Sequence, residues 1–361
     1  MAQFKFGPRR IKKEVQMDDF SLTLLSVILI AIAAIILITA IYGIIFAVTN
    51  VDSLLPLESI TENSGDHPYK QNVTLDISND TENASEITGI SGKYAVLIDV
   101  TTGEVKGTLR SGQELNPASM TKVMTLIVVM ENLSGEGSLN DMVTVTDEHI
   151  SHKTSERKMS GVLGGEAYPA GEYSVKTLLN HLIMDSSGVA ALALADYIAG
   201  SEANFVKLMN EKAEEMELER TKFVYCDGSH SLGHKSTARD MAKIMAYAMK
   251  NTYCANILTS LSYSDEDGNT IYHKPLVHNY YIQNPPNVEK KPTNAKVVAA
   301  KSGWTGDIAD GDWSGGCMVT YLKGNDGHEY VVVVAGTPGG GAASIASAVD
   351  DTVAICNAFI K

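Results

Sequence analysis

The chain has 361 residues, of which 43 are acidic and 29 basic, giving a formal net charge of −14. That charge repels a phosphate backbone, so nucleic acid is excluded as an expected partner, and it fits a soluble extracytoplasmic domain. The four cysteines (Cys226, Cys254, Cys317 and Cys356) show no close paired spacing. Cys317 and Cys356 lie in apolar runs and read as buried thiols, while a Cys226–Cys254 disulfide stays open.

Residues 1–19 are a basic segment holding Lys5, Arg9, Arg10, Lys12 and Lys13. An uncharged apolar run follows, and residues 20–49 are expected to form a single transmembrane helix. The run exceeds the roughly 7–15 residues of a signal-peptide core, which favours a retained anchor. The basic flank places the N-terminus in the cytoplasm and the remainder outside. With no charge inside the span, anchoring is favoured over transport. Residues 50–90 carry eight acids against Lys70 and are rich in Ser, Thr and Asn. They read as a polar acidic stalk without sustained periodicity. Glycosylation sequons begin at Asn72, Asn79 and Asn83, patterns too frequent in such a tract to carry weight.

Residues 91–361 can hold one sizeable domain. A strand is predicted over 94–100, with Thr101-Thr-Gly103 turning into a second that ends near Leu109. A helix is expected over 119–132. A helical run over 175–198 is interrupted by Ser186-Ser187-Gly188, and helices follow over 202–216 and 238–249, the latter capped by Ser236 or Thr237. A strand over 297–300 leads into Lys301. Two more, over 317–322 and 330–335, flank the hairpin signal Gly324-Asn-Asp-Gly327. A last helix, over 343–360, follows Gly339-Gly-Gly341. The fold class is α+β: an antiparallel sheet flanked by helices, with a mostly helical subdomain.

Ser119-Met-Thr-Lys122 opens the first of these helices, after Asn116 and Pro117 and before apolar Val123, Met124, Leu126 and Ile127. The spacing puts a hydroxyl and an amine on one helix face, about a turn apart. Serine is a poor nucleophile until a neighbouring base takes its proton, and an amine at this spacing can act as that base. A second Ser-x-x-Lys, Ser155 to Lys158, lies in a charged stretch with no apolar run behind it and reads as a solvated surface. Lys301-Ser302-Gly303 puts a cation and a hydroxyl on a sheet edge, and the glycine permits close backbone approach. Ser186-Ser187-Gly188 delivers a further hydroxyl between two helices. Taken alone, each of these reads equally well as an edge strand or a small-residue loop. Cys226, His230 and His234 have a spacing compatible with zinc or with an ordinary loop. His149 and His152 read as exposed. His278 to Tyr281, with Pro285, Pro286 and Pro292 beyond, read as a loop that either rims a cleft or merely turns.

The order of the three motifs resembles the penicillin-binding D-alanyl-D-alanine carboxypeptidases, the low-molecular-mass serine peptidases of family S11. Further blocks run in the same order: 95–104, 141–145, 194–200 and 234–242. The resemblance implies a β-lactamase/transpeptidase-like fold and removal of the terminal D-alanine from peptidoglycan stem pentapeptides. It implies Ser119 as nucleophile, Lys122 as its general base, and Ser186 with Lys301 as the proton-relay side. Ser302, Gly303, Trp304, Thr305 and Gly188 would line the substrate side, with the oxyanion held by the N–H groups of Ser119 and Trp304. No metal or cofactor is implied, β-lactam antibiotics are expected as covalent inhibitors, and a role in cell-wall shape follows. Two departures stand out. Gly188 occupies the place of the family's usual asparagine, and the tract from Gly336 to Ile360 holds no Lys or Arg for a carboxylate clamp. Loss of such a clamp costs on the order of 1.5–3 kcal/mol of binding. These departures keep open a non-turnover peptidoglycan-binding homologue. A β-lactamase ranks lower, since no Glu-x-x-Leu-Asn block follows Ser186.

Overall fold

The computed structural model describes residues 68–135, 137–155, 169–265, 267–273, 291–304 and 315–361. The expected anchor, the basic segment, most of the stalk, Thr305, Lys158 and His278 to Tyr281 lie outside these residues. Among the described residues no helix is long and apolar enough to cross a membrane.

Six strands form the main sheet: β1 (Ser85–Glu86), β2 (Tyr94–Asp99), β3 (Glu104–Leu109), β8 (Ala295–Trp304), β9 (Gly316–Gly324) and β10 (Glu329–Thr337), in the order β1-β3-β2-β10-β9-β8. Only the β1–β3 pair is parallel. Both faces of this sheet are covered, so its central strands read as unbroken apolar runs. Val96 and Ile98 of β2, with Val331 and Val333 of β10, belong to the core shared with the helical part. Ala95, Leu97, Val332 and Val334 alternate to the other face, against Val349, Ile355 and Cys356. Those three belong to the last helix, α8 (Ala342–Phe359).

Between β3 and β8 come α1 (Lys122–Asn132), β4 (Met142–Val145), α2 (Asp147–Ser155), β5 (Gly171–Ser174), α3 (Val175–Met184), α4 (Gly188–Ala199), α5 (Glu202–Glu215), α6 (Ala238–Lys250), α7 (Thr252–Thr259), β6 (Ser262–Ser264) and β7 (Thr270–Tyr272). β4 pairs with β5 and β6 with β7. Every residue of α1 except Asn132 is buried, as expected of a helix apolar all round. Ser174, Ser187, Ser201 and Thr237 cap the N-termini of α3, α4, α5 and α6 through their side chains. Thr237, rather than Ser236, therefore caps α6. The four cysteines are buried free thiols, so Cys226 and Cys254 do not pair.

The boundary between stalk and domain falls earlier than residue 91. Val73, Leu75 and Ile77 alternate with exposed Asn72, Thr74 and Asp76, and pack against the helical core. Tyr69 is buried edge-on against Tyr253, with ring centroids 4.8 Å apart, and its carbonyl accepts from Asn251 Nδ2 at 3.0 Å. Farther along, Asn79 O accepts from Arg239 at 2.6 Å and Asn79 Oδ1 from Lys243 at 2.8 Å. β1 then adds to the sheet edge. The acidic composition of the whole tract concealed this short period-2 pattern.

α1 carries a buried charge near each end. At its C-terminal end, Glu131 meets Lys212 of α5 at 2.9 Å, both side chains being 5% exposed. Tyr247 of α6 donates to Glu131 at 2.6 Å and accepts from Lys212 at 2.7 Å. Breaking a buried pair strands one desolvated charge, so Lys212→Met is expected to cost about 3–5 kcal/mol. In the double variant Lys212→Met, Glu131→Leu most of that loss should return. Urea denaturation of the two variants checks this.

Candidate active site

Ser119 sits in a single 3₁₀ turn (Ala118–Thr121) that leads directly into α1. The turn is strained at Ala118, whose φ of 45° is unusual for a side-chain-bearing residue. Three contacts hold it. Asn116 Oδ1 accepts the Ala118 N–H at 2.9 Å. Gly228, at φ +79°, passes so close that a Cβ there would lie 2.0 Å from Ala118 O. On the third side, Gly303 of β8 is close enough that a Cβ would meet Ser119 N at 2.8 Å and Ala118 Cβ at 2.9 Å.

Two serine–lysine pairs converge here. Lys122 Nζ is 3.0 Å from Ser119 Oγ and donates to Asp227 O at 2.5 Å. Lys301 Nζ is 2.8 Å from both Ser186 Oγ and Ser302 O. Ser186 takes the left-handed conformation, φ 60°, between α3 and α4. Both lysines are buried, whereas Ser119 and Ser186 are partly open. Burial and the nearby charge of Lys122 both push the Lys301 amine well below the usual lysine value. At least one amine of such a pair is thereby favoured in its neutral, proton-accepting form. The positive end of the α1 dipole, just after the turn, favours negative charge developing near Ser119.

The remaining candidates divide. Gly303 faces Ser119, and Trp304 ends the same strand with its Nε1 buried and without a hydrogen-bond partner among the described residues. Ser302 reaches the site through its carbonyl, which accepts from Lys301. It stands opposite Met318, which belongs to the core under α8, so its side chain shares that face rather than the face of Lys301. Gly188 opens α4 and brings no side chain to the site. Before α8, Thr337 donates to Ser344 O at 2.6 Å across Gly339 to Gly341, a tract without a cation. Both histidines of the zinc-compatible trio are engaged otherwise. His230 Nδ1 meets Asn116 at 3.0 Å, while His234 accepts from Val224 N and bonds Thr121 Oγ1 at 2.9 Å. His149 is bonded to Asp196 at 3.0 Å rather than standing free.

Sequence reading missed two contributors. Asp227 acts through its backbone carbonyl, which no side-chain pattern reveals. His273, just after β7, is fully buried with neither ring nitrogen hydrogen-bonded among the described residues. Burial and the charge of Lys301 hold it neutral by pushing its pKa down to about 3. A histidine following a three-residue strand gives no sequence signal for that placement.

The family profile described as D-alanyl-D-alanine carboxypeptidase, Peptidase S11, matches residues 79–320. The chain belongs to the peptidase S11 family. Its relatives include D-alanyl-D-alanine carboxypeptidase DacF of Bacillus subtilis (strain 168), 41% identical over 158 residues, covering 43% of this chain and 38% of the relative. DacC of Escherichia coli (strain K12) is 35% identical over 162 residues, covering 45% and 40%. The matched part thus spans about two fifths of the length of these curated relatives. Among solved structures, penicillin binding protein 5 from Haemophilus influenzae aligns with TM-score 0.57 at 22% identity, over 75% of this chain and 71% of that one. Penicillin binding protein 6B from Escherichia coli aligns with TM-score 0.56 at 22% identity, over 77% and 81%. These two support the S11 chain's fold, a mixed sheet-and-helix transpeptidase-like architecture.

Two outcomes follow from this geometry. Gly303→Ala would press a methyl on Ser119 N, so acylation of Ser119 should fall by about 10²–10³-fold, the cost of one lost oxyanion donor; stopped-flow acylation by a chromogenic β-lactam checks it. Lys301 binds its proton less tightly folded than unfolded. Between its lowered folded pKa and the unfolded value of 10.5 the unfolded chain holds more protons, and stability rises with pH. Below that window the cost of the buried charge is fully present. Lys301→Met should therefore melt higher than the parent on the acid side of the window, with a gap that closes toward pH 10.5. Melting curves across pH test this, and the same variant should acylate about 10²–10⁴-fold more slowly.

Proposed function

We propose that this protein is a membrane-anchored serine D,D-carboxypeptidase, working outside the bacterial cytoplasmic membrane, that removes the terminal D-alanine from peptidoglycan stem peptides. The observation that carries the reading is the Lys122 amine 3.0 Å from Ser119 Oγ, beside the second pair of Lys301 and Ser186 at 2.8 Å. The S11 membership and the relatives' names support the substrate class. The apolar run over 20–49 supports the anchor, with the catalytic domain on the outer side.

In this mechanism Ser119 Oγ attacks the carbonyl carbon of the penultimate D-alanine, and its proton passes to Lys122 Nζ. The oxyanion is held by the backbone N–H groups of Ser119 and Trp304. Collapse breaks the peptide bond, and the proton taken up by Lys122 passes by way of the Lys301–Ser186 pair to the departing D-alanine amine, which leaves Lys122 neutral. Water then gives a proton to Lys122 Nζ as it attacks the ester carbonyl, and that proton returns to Ser119 Oγ as the ester breaks. A β-lactam enters the first half of this cycle and leaves a slowly hydrolysed acyl-enzyme. The second reading is a peptidoglycan-binding homologue with impaired turnover. Gly188 and the cation-free tract before α8 favour it, since both weaken the hold on substrate rather than the nucleophile.

Incubation of the full chain with penicillin, followed by intact mass measurement beside Ser119→Ala, should give one adduct in the parent and none in the variant. Ser119-dependent D-alanine release from a pentapeptide then separates the two readings. An adduct without release establishes the binding homologue. No adduct, with the antibiotic intact, removes the acyl-enzyme.

A further inference from the structure

Cys317 stands directly across from Gly303 in the β8–β9 register and is only 2% exposed. Its Sγ lies 3.5 Å from Pro117 O, two residues before the nucleophile. The same sulfur would be 2.8 Å from a Cβ at Gly303, the virtual atom that also lies 2.8 Å from Ser119 N. One side chain therefore touches the nucleophile's turn and the strand that closes on it. Burial pushes the thiol up to about 12, although the nearby Lys301 charge works against this, so it stays an S–H donor toward the Pro117 carbonyl.

Size and chemistry both matter at this point. The strained turn at Ala118 has Asn116 and Gly228 on its other sides. Strain of that kind persists only where the surroundings over-determine it. Sulfur is longer-bonded and softer than oxygen, and it fills a gap that a hydroxyl would underfill and a branched chain would overfill. We propose that Cys317 is a positioning residue: it sets the spacing between the Gly303 strand and the Ser119 turn, and so the width of the oxyanion hole between them. This inference rests on the acyl-transfer reading above, and it assigns Cys317 no contact with substrate.

The test uses the full chain and its Cys317→Ser, Cys317→Ala and Cys317→Leu variants. Single-turnover kinetics with a fluorescent penicillin separate initial binding from the acylation rate constant, and melting curves give the folded fraction. Cys317→Leu should acylate about 10- to 100-fold more slowly, the cost of a misplacement near 1 Å, with initial binding changed less than about threefold. Cys317→Ala should be slowed less, and Cys317→Ser, which keeps a donor, least. Should the leucine variant fail to fold, the alanine and serine variants carry the comparison. The inference is overturned if those two, normalised to folded protein, acylate at the parent's rate, or if every loss simply tracks melting temperature. If the parent itself shows no Ser119-dependent adduct, the acyl-transfer reading fails and this inference falls with it, an outcome distinct from an acylated parent with unresponsive variants.

Discussion

Like charges in a dry site repel, and the shared burial of Lys122 and Lys301 is the constraint on which the rest of this site depends. Two lysines brought together in water would stay charged and separate. Here one is fixed by the start of a helix and the other by a strand, so neither can withdraw. The acceptors named for them match: each amine has one serine hydroxyl and one backbone carbonyl, Ser119 and Asp227 for Lys122, Ser186 and Ser302 for Lys301. A carboxylate in either place would hold its amine as an ammonium. A hydroxyl and a carbonyl orient the amine and leave its proton removable, which is what general base chemistry requires.

The placement of these groups depends on α1. Because nearly its whole surface is buried, the helix cannot rotate or slide without opening the core. Its far end is tied by Glu131, Lys212 and Tyr247, and its near end presents Lys122 and the nucleophile's turn. The far end is a satisfied network. The near end concentrates the cost: left-handed φ values at Ala118 and Ser186 and two desolvated amines. Stability drawn from the helical core supports an arrangement that would not persist by itself.

The parts legible in the sequence were those that repeat a local rule. Ser119 and Lys122 share a helix face by spacing alone, and Ser186 to Gly188 broke a helical pattern where α3 gives way to α4. The strand leading into Lys301-Ser302-Gly303 announced itself by its apolar run. What stayed hidden depends on tertiary approach. The carbonyl of Asp227, the neutral ring of His273 and the sulfur of Cys317 reach the site through the packing of separate elements. Val73, Leu75 and Ile77 did alternate, but three residues within an acidic tract gave too little signal against its composition. Ser302 shows a different limit: the motif singles the residue out, while only the register shows that its side chain shares a face with Met318.

Gly188 illustrates how the nucleophile and the substrate side separate in this fold. An asparagine there would have offered an amide to both, and the glycine offers none. The amine of Lys122 is nevertheless held, because Asp227 supplies a carbonyl from a loop that is itself well defined. Asp227 accepts the Ser229 N–H and hydroxyl at 2.9 Å each, and Gly228 adopts a positive φ that lets the loop lie against Ala118. Thr125 of α1 donates to the preceding carbonyl, that of Cys226, and locks the loop to the helix it serves. The geometry between Ser119 and Lys122 thus has support that does not pass through residue 188. On the proposed acyl-transfer function, the change would weigh on how a substrate backbone is oriented more than on the readiness of the serine, so a site of this construction would keep its reactivity toward a strained amide while becoming selective about which peptide it turns over.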